Sequence, residues 1–285
     1  MLGTVVLNYV NYDETIRCVD SLLSQQDVDY HIIVVENGSN NESEKILKDR
    51  YDGNQLITVV ATHENLGFAR GMNVGIDYLR EMGCDFIFLA NSDLVFESDT
   101  SMSDMVKAYR PGVGAISPII VNTDGRPAVY ITFKKKFMRL RMVKTFLEGI
   151  IKKIKKKLSK GKTPAKKKEY GHERAAIKPG VLNDKYEITG SGYMLTPDFF
   201  AHYSRLYPET FLGGEEYTTI LYLDKSGLKT CWAETVPIIH KHGASTPKDI
   251  TSDKTIYNGV KKAGFGKIIK LFPMTESEIN KRYAK

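Results

Sequence analysis

FIFLANSDLVF, residues 86–96, decides how this chain is read. The apolar run Phe86 to Ala90 stops at Asn91-Ser92-Asp93. A short apolar run bounded by turn-forming residues reads as a strand buried on both faces. Asp93 then stands at the rim of a buried sheet. Upstream, the same signal recurs between helical patterns. Gly3 to Tyr9 reads as a strand, followed by a helix over Glu14 to Ser24 with Ile16, Val19, Leu22 and Leu23 at helical spacing. His31 to Val35 reads as a second strand, ending in the polar turn Glu36-Asn37-Gly38-Ser39, with a helix over Glu42 to Tyr51. Leu56 to Ala61 is a third strand, Gly71 to Met82 a helix, and Asp85 to Ala90 the fourth strand. Strands alternating with helices predict an α/β fold with a mostly parallel, twisted sheet and helices on both faces. Ligands bind such sheets outside the carboxyl ends of the strands. Asn8, Glu36 and Asp93 fall there.

Beyond residue 130 the alternation stops, and no repeat or separate second domain is read. The predicted organisation is one domain over 1–253, with a ligand-binding half at 1–125, a basic insertion at 134–168 and a second half at 180–250. A tail over 254–285 is expected to form one or two helices, broken at Gly264 and Gly266.

Composition narrows the class. The chain has 285 residues, enough for one large domain with a real core. The opening residues MLGTVVLNYV carry no basic leader and no small-residue cleavage site, so a processed export signal is not expected. No apolar run is long enough to span a membrane. Cys18, Cys84 and Cys231 are odd in number and widely spaced, which predicts reduced thiols and a cytoplasmic protein. Net charge is +7, yet residues 134–168 hold 16 Lys and Arg against Glu148, a local +15 that leaves −8 for the remainder. A mildly acidic body therefore carries one strongly basic element.

At Asn91-Ser92-Asp93, a divalent cation bridging two phosphates would find a hard carboxylate ligand. A turn that caps a helix is the alternative reading. The surrounding motifs favour the first. VVLNYVNYDETIRCVDSL, IIVVENGSNNES, ENLGFARGMNVGI and FIFLANSDLVF, in that order, resemble glycosyltransferase family 2, inverting enzymes with the Rossmann-like GT-A fold, and in particular its rhamnosyltransferase-like branch. The resemblance puts FIFLANSDLVF at the family's metal-binding Asp-x-Asp, with Asn91 in place of the first Asp and Ser92 between. It implies a nucleotide-sugar donor, a UDP- or dTDP-sugar, with Mn2+ or Mg2+ at Asp93. It implies that Asn8 and Tyr9 hold the base and ribose and that Glu36, where the family usually has Asp, accepts from the base. Asn65, Gly67, Arg70 and Asn73 would line the donor pocket, Arg70 adding charge near the diphosphate.

Two later motifs continue the resemblance. GSGYML, with Gly190, Ser191 and Gly192, is similar to the family's strand beside the sugar and acceptor. FLGGEEYTTILYL is similar to its Phe-x-x-x-Glu-Asp segment, which gives Glu216 the place of the catalytic base and leaves Glu215 in reserve. Compensation of the helix dipole is the other reading of that Glu pair. In VPIIHKHGAST, His240 and His242 share one face of a strand, and the resemblance puts one of them near the metal. A structural hydrogen bond is the alternative.

Leu140, Val143, Leu147, Ile150, Ile151, Ile154 and Leu158 fall within an arc of about 100° at helical periodicity. Residues 137–158 thus read as a basic amphipathic helix, suited to an anionic membrane surface. That predicts a protein peripheral at the inner face of the cell membrane, where a lipid-linked acceptor would be found; the family resemblance implies transfer to a glycan or lipid-linked acceptor in cell-surface polysaccharide synthesis. Nucleic acid is not expected as a partner, because interleaved aromatics are lacking. Two other readings stand beside this one: a nucleotidyltransferase, which would want a Gly-rich basic loop in place of Asn8-Tyr9-Val10-Asn11, and a membrane-peripheral scaffold whose sugar site has decayed.

Overall fold

A computed structural model describes residues 1–128, 131–134, 185–241, 264 and 266–284, with the backbone alone for 131–134 and 185–187. The strands are β1 (Leu2–Asn8), β2 (Tyr30–Glu36), β3 (Ile57–Ala61), β4 (Phe86–Asn91), β5 (Leu94–Val95), β6 (Val113–Ser117), β7 (Ile120–Asn122), β8 (Ile131–Lys134), β9 (Lys185–Ile188), β10 (Gly192–Leu195), β11 (Lys229–Trp232) and β12 (Ile238–His240). The helices are α1 (Tyr12–Leu22), α2 (Ser43–Tyr51), α3 (Phe68–Glu81), α4 (Ser101–Lys107), α5 (Pro197–His202), α6 (Glu215–Ser226) and α7 (Glu276–Tyr283).

Seven strands form the central sheet in the order β11-β6-β10-β4-β1-β2-β3. β1 pairs parallel with β2 and β4, and β2 with β3, while β10 runs antiparallel to both β4 and β6. This is the mostly parallel mixed sheet expected from the alternation. β1 is buried along its whole length because both faces are covered. Val5 and Leu7 pack with α3 on one face, and Leu2 and Val6 pack with residues of α1 on the other.

The antiparallel direction of β10 matters most for function. Gly192 pairs with Ala90, so the residues that enter β10 lie at the carboxyl end of β4. A second, three-stranded sheet, β5-β12-β7, lies beyond that end. Its register sets His240 opposite Leu94, next to Asp93.

The elements begin or end a few residues from the sequence-based limits. α3 starts at Phe68 rather than Gly71, because Gly67 at φ +80° supplies the left-handed entry. The helix-capping reading of Asn91-Ser92-Asp93 does not hold: the tripeptide runs from β4 through a tight turn into β5. The expected break at Gly264 and Gly266 is not seen at the glycines themselves. Both have helical backbone, and residues 266–271 continue as helix. Ile268 and Leu271 are fully buried there, so tertiary packing outweighs the weak propensity of Gly. His242 and residues 135–168, including the amphipathic stretch 137–158, lie outside the described residues.

α3 sits close to the sheet because Gly71 and Gly75 leave room for β1. A Cβ on Gly75 would come within 2.5 Å of Val5 Cγ1 and 3.2 Å of Val35 Cγ2. Gly→Ala in an open helix raises stability by about 0.5–1 kcal/mol. Here the sign should invert: Gly75→Ala is expected to lower it by about 1–3 kcal/mol in urea unfolding, through overpacking against β-branched side chains. An unchanged or raised midpoint would contradict this packing.

Candidate active site

Asp93 and His240 meet beyond the carboxyl end of β4. Both are buried, and Asp93 Oδ1 lies 3.2 Å from His240 Nε2. Yet that oxygen accepts no aligned hydrogen bond. Register explains the proximity: Lys241 N donates to Asp93 O at 3.0 Å, stitching β12 to the turn. The other ring nitrogen, His240 Nδ1, is 3.2 Å from Ser191 Oγ, which in turn lies 3.3 Å from Thr189 Oγ1. A partner on Nδ1 fixes the ring orientation and leaves Nε2 facing Asp93. A buried carboxylate oxygen without a hydrogen bond, beside an imidazole nitrogen, is a donor pair that fits a divalent ion such as Mn2+ or Mg2+. Among the described residues no group of three or more His, Cys, Asp and Glu converges.

Glu215 and Glu216 open α6 after two left-handed glycines, Gly213 at φ +83° and Gly214 at φ +104°. Consecutive left-handed residues are accessible to Gly at no steric cost. This entry turns Glu215 inward, where it is buried, and leaves Glu216 half-exposed. Glu216 reaches the turn before β10: a Cβ built on Gly190 would stand 2.1 Å from its Oε1. The turn Thr189-Gly190-Ser191 therefore touches His240 on one side and Glu216 on the other.

Asn8 and Glu36 are register partners at the ends of β1 and β2, both buried. Asn8 Nδ2 is 3.4 Å from Glu36 Oε1, and Asn8 Oδ1 accepts from Thr15 Oγ1 at 2.7 Å. The Glu36 carboxylate accepts from Ser39 N at 2.8 Å and Gly38 N at 3.2 Å. These two side chains hold the turn after β2. Ser39 Oγ accepts from Val10 N, and Asn41 Nδ2 donates to Val10 O, each at 2.8 Å. Val10 is held at φ +68°, a conformation rare for a β-branched residue. Tyr9 is half-buried beside it.

Asn65, Gly67, Arg70 and Asn73 join the α3 entry to the segment before α6. Asn65 Oδ1 accepts from Gly67 N at 2.9 Å, and Phe68 N donates to Phe211 O at 2.7 Å. Arg70 Nε donates to Pro208 O at 3.0 Å. Asn73 exchanges two hydrogen bonds with the backbone of Leu206, at 2.8 and 3.0 Å. Asn65 and Arg70 line an open cleft of about 260 Å³, whereas Asn73 is buried and both ends of its amide are engaged by Leu206.

Comparison with known proteins settles the family. The pattern of Glycosyl transferase family 2 matches residues 4–166, more than half of the chain. The chain belongs to glycosyltransferase family 2. Among curated family relatives, the teichoic acid poly(glycerol phosphate) polymerase of Staphylococcus epidermidis is 27% identical over 128 residues, 44% of this chain and 17% of that protein. Galactofuranosyltransferase GlfT1 of Mycobacterium tuberculosis is 25% identical over 122 residues, 42% of this chain and 40% of its own length. The chain thus spans less than half the length of these relatives. Among solved structures, a mannosyltransferase from Pyrobaculum calidifontis in complex with GDP-Man and Mn2+ aligns with TM-score 0.53 at 12% identity, over 87% of this chain and 57% of the other. GalNAc-T7 with UDP, GalNAc and Mn2+ aligns with TM-score 0.55 at 12% identity, over 85% and 44%. Likeness at this identity speaks to fold, and the family 2 chain has the GT-A fold.

Asn37, unremarked in the sequence beyond its place in the second turn, is a hub of this family 2 chain. Its Oδ1 accepts from Leu66 N at 3.1 Å, and its Nδ2 donates to Gly67 O and Asn65 Oδ1, each at 3.3 Å. The available signal was a polar residue directly after an apolar strand. The family resemblance sets Ser191 near the sugar, and the structure adds its contact with His240.

Burial, then the charge of Glu216, pushes the Glu215 carboxyl up to about 7 from its ordinary value of 4.5. A raised folded-state pKa means the folded protein keeps a proton that the unfolded chain has lost. Stability therefore falls as pH rises from about 4.5 to about 7, and is level above that. Glu215→Gln removes this titration. Its stability relative to wild type should improve by up to about 3 kcal/mol between pH 5 and pH 8 in urea unfolding. Equal differences at both pH values would contradict the burial of an ionisable group there.

Proposed function

We propose that the chain transfers a sugar from a nucleotide diphosphate donor, a UDP- or dTDP-sugar, to a glycan or lipid-linked acceptor in cell-surface polysaccharide synthesis, with inversion at the anomeric carbon. One observation carries this reading: the Asp93–His240 pair and the Glu216 carboxylate flank the single turn Thr189-Gly190-Ser191 at the carboxyl edge of a GT-A sheet. The Mn2+ and nucleotide ligands of the two solved structures accord with it.

Asp93 and His240 would hold the ion, and a bound divalent cation supplies charge stabilisation for a departing diphosphate. Ser191 holds the His240 ring, and the peptide of Asn91 holds Ser191 in turn, through Asn91 N to Ser191 O at 2.9 Å. Half-exposed Glu216 takes the acceptor hydroxyl proton at a carboxylate oxygen, on the face opposite the leaving nucleotide. Glu215, turned inward, is the less accessible of the pair. Asn8, Tyr9 and Glu36 form the floor on which the base and ribose rest, and Arg70 brings a cation to the cleft beside Asn65.

Thermal stabilisation across UDP-, dTDP- and GDP-sugars, with and without Mn2+, tests the donor reading. One sugar nucleotide should stabilise the wild type only with Mn2+, and Asp93→Ala should abolish that shift. Glu216→Gln should keep the shift while lowering kcat by about 10²–10⁴-fold, the loss typical of a removed general base. A wild type indifferent to every donor would favour a protein whose sugar site has decayed.

Docking to an anionic membrane surface rests on the sequence of residues 137–158 alone. Among the described residues no helix is long and apolar enough to cross a membrane. The chain should pellet with phosphatidylglycerol vesicles at low salt and dissociate as ionic strength rises. Equal recovery with neutral phosphatidylcholine vesicles would contradict that reading.

A further inference from the structure

Gly190 invites a question that its backbone does not answer. It is absent from the glycines of positive φ, so an L-residue could adopt its conformation without strain. The three atoms a Cβ would meet first all belong to one side chain: Glu216 Oε1 at 2.1 Å, Cδ at 2.8 Å and Cγ at 3.1 Å. The glycine makes room for a carboxylate.

Resting on the reading of Glu216 as base, we propose that Gly190 is a positioning residue that sets how far the Glu216 carboxylate advances toward the acceptor. Neither backbone is free to relieve an added methyl. The turn is held by Asn91 N donating to Ser191 O at 2.9 Å and by the contact of Ser191 Oγ with His240 Nδ1 at 3.2 Å. α6 is tied to β10 by Tyr193 Oη and Thr219 Oγ1 at 2.9 Å. The movable partner is the end of the Glu216 side chain. A methyl at Gly190 therefore displaces the carboxylate and leaves the fold in place. A shift of about 1 Å in a catalytic group can cost on the order of 100-fold in rate. The match depends on length, because a side chain one methylene shorter withdraws the nearest atom, Oε1 at 2.1 Å, and so relieves the severest overlap.

The test is a double-mutant cycle of Gly190→Ala and Glu216→Asp, with Glu216→Gln as control. Release of nucleoside diphosphate is measured from the sugar nucleotide that stabilises the wild type in the presence of Mn2+. Gly190→Ala should lower kcat about 100-fold, with donor KM, thermal midpoint and the Mn2+-dependent shift unchanged. In the Glu216→Asp background the same substitution should cost less than about 3-fold, a non-additivity expected of directly coupled residues and not of independent ones. Equal losses in both backgrounds, no loss, or a Gly190→Ala chain that fails to fold would overturn the proposal. A Glu216→Gln enzyme of near wild-type kcat would instead overturn the base assignment beneath it.

Discussion

Asp93 places a carboxylate in the interior with one oxygen lacking a hydrogen bond, 3.2 Å from an imidazole nitrogen. Burying a carboxylate gives up its hydration, a cost that a single imidazole contact without an aligned hydrogen bond offsets only in part. Much of the surrounding architecture holds that arrangement. The turn from β4 into β5 carries Asp93, β12 carries His240, and the entry to β10 carries Ser191, which fixes the ring. Local cost concentrated where three segments converge is what a ligand-binding site looks like when a cation is to offset it.

The convergence follows from strand direction. In a purely parallel sheet the carboxyl edge receives strand ends and helix starts alone. Here β10 runs against β4 and β6, so the start of a strand is delivered to the edge where the others stop. The turn before it meets Asn91 through the backbone, His240 through Ser191, and Glu216 through the bare face of Gly190. Likewise Arg70 and Asn73 bind the segment before α6 to α3, Arg70 through an exposed hydrogen bond and Asn73 through two buried ones, so the halves that would carry donor and acceptor are joined.

Much of the first half was legible because strand and helix periods are local. The run before Asp93 gave strand β4, and polar residues directly after apolar runs marked Asn8, Glu36 and Asp93 at one edge of the sheet. Contacts made across the fold were not legible. Asn37 reads as one more turn residue until its amide is seen bonding Leu66, Gly67 and Asn65. Nothing in the sequence around Asn73 shows that its amide binds the backbone of Leu206. The tail glycines mislead because propensity is weak beside the burial of Ile268 and Leu271. Gly190 and Glu216 are far apart in sequence, and each motif alone gives no sign that one is sized for the other.

The central claim is that Asp93 and His240 hold a cation against a nucleoside diphosphate. Crystals soaked with Mn2+ and UDP, or with whichever diphosphate stabilises the protein, would locate the metal by anomalous scattering. The account predicts a peak about 2.0–2.3 Å from the Asp93 carboxylate and from His240 Nε2, with diphosphate oxygens completing its coordination. A diphosphate bound at the carboxyl edge with the metal elsewhere, or with Asp93 and His240 untouched, would contradict it.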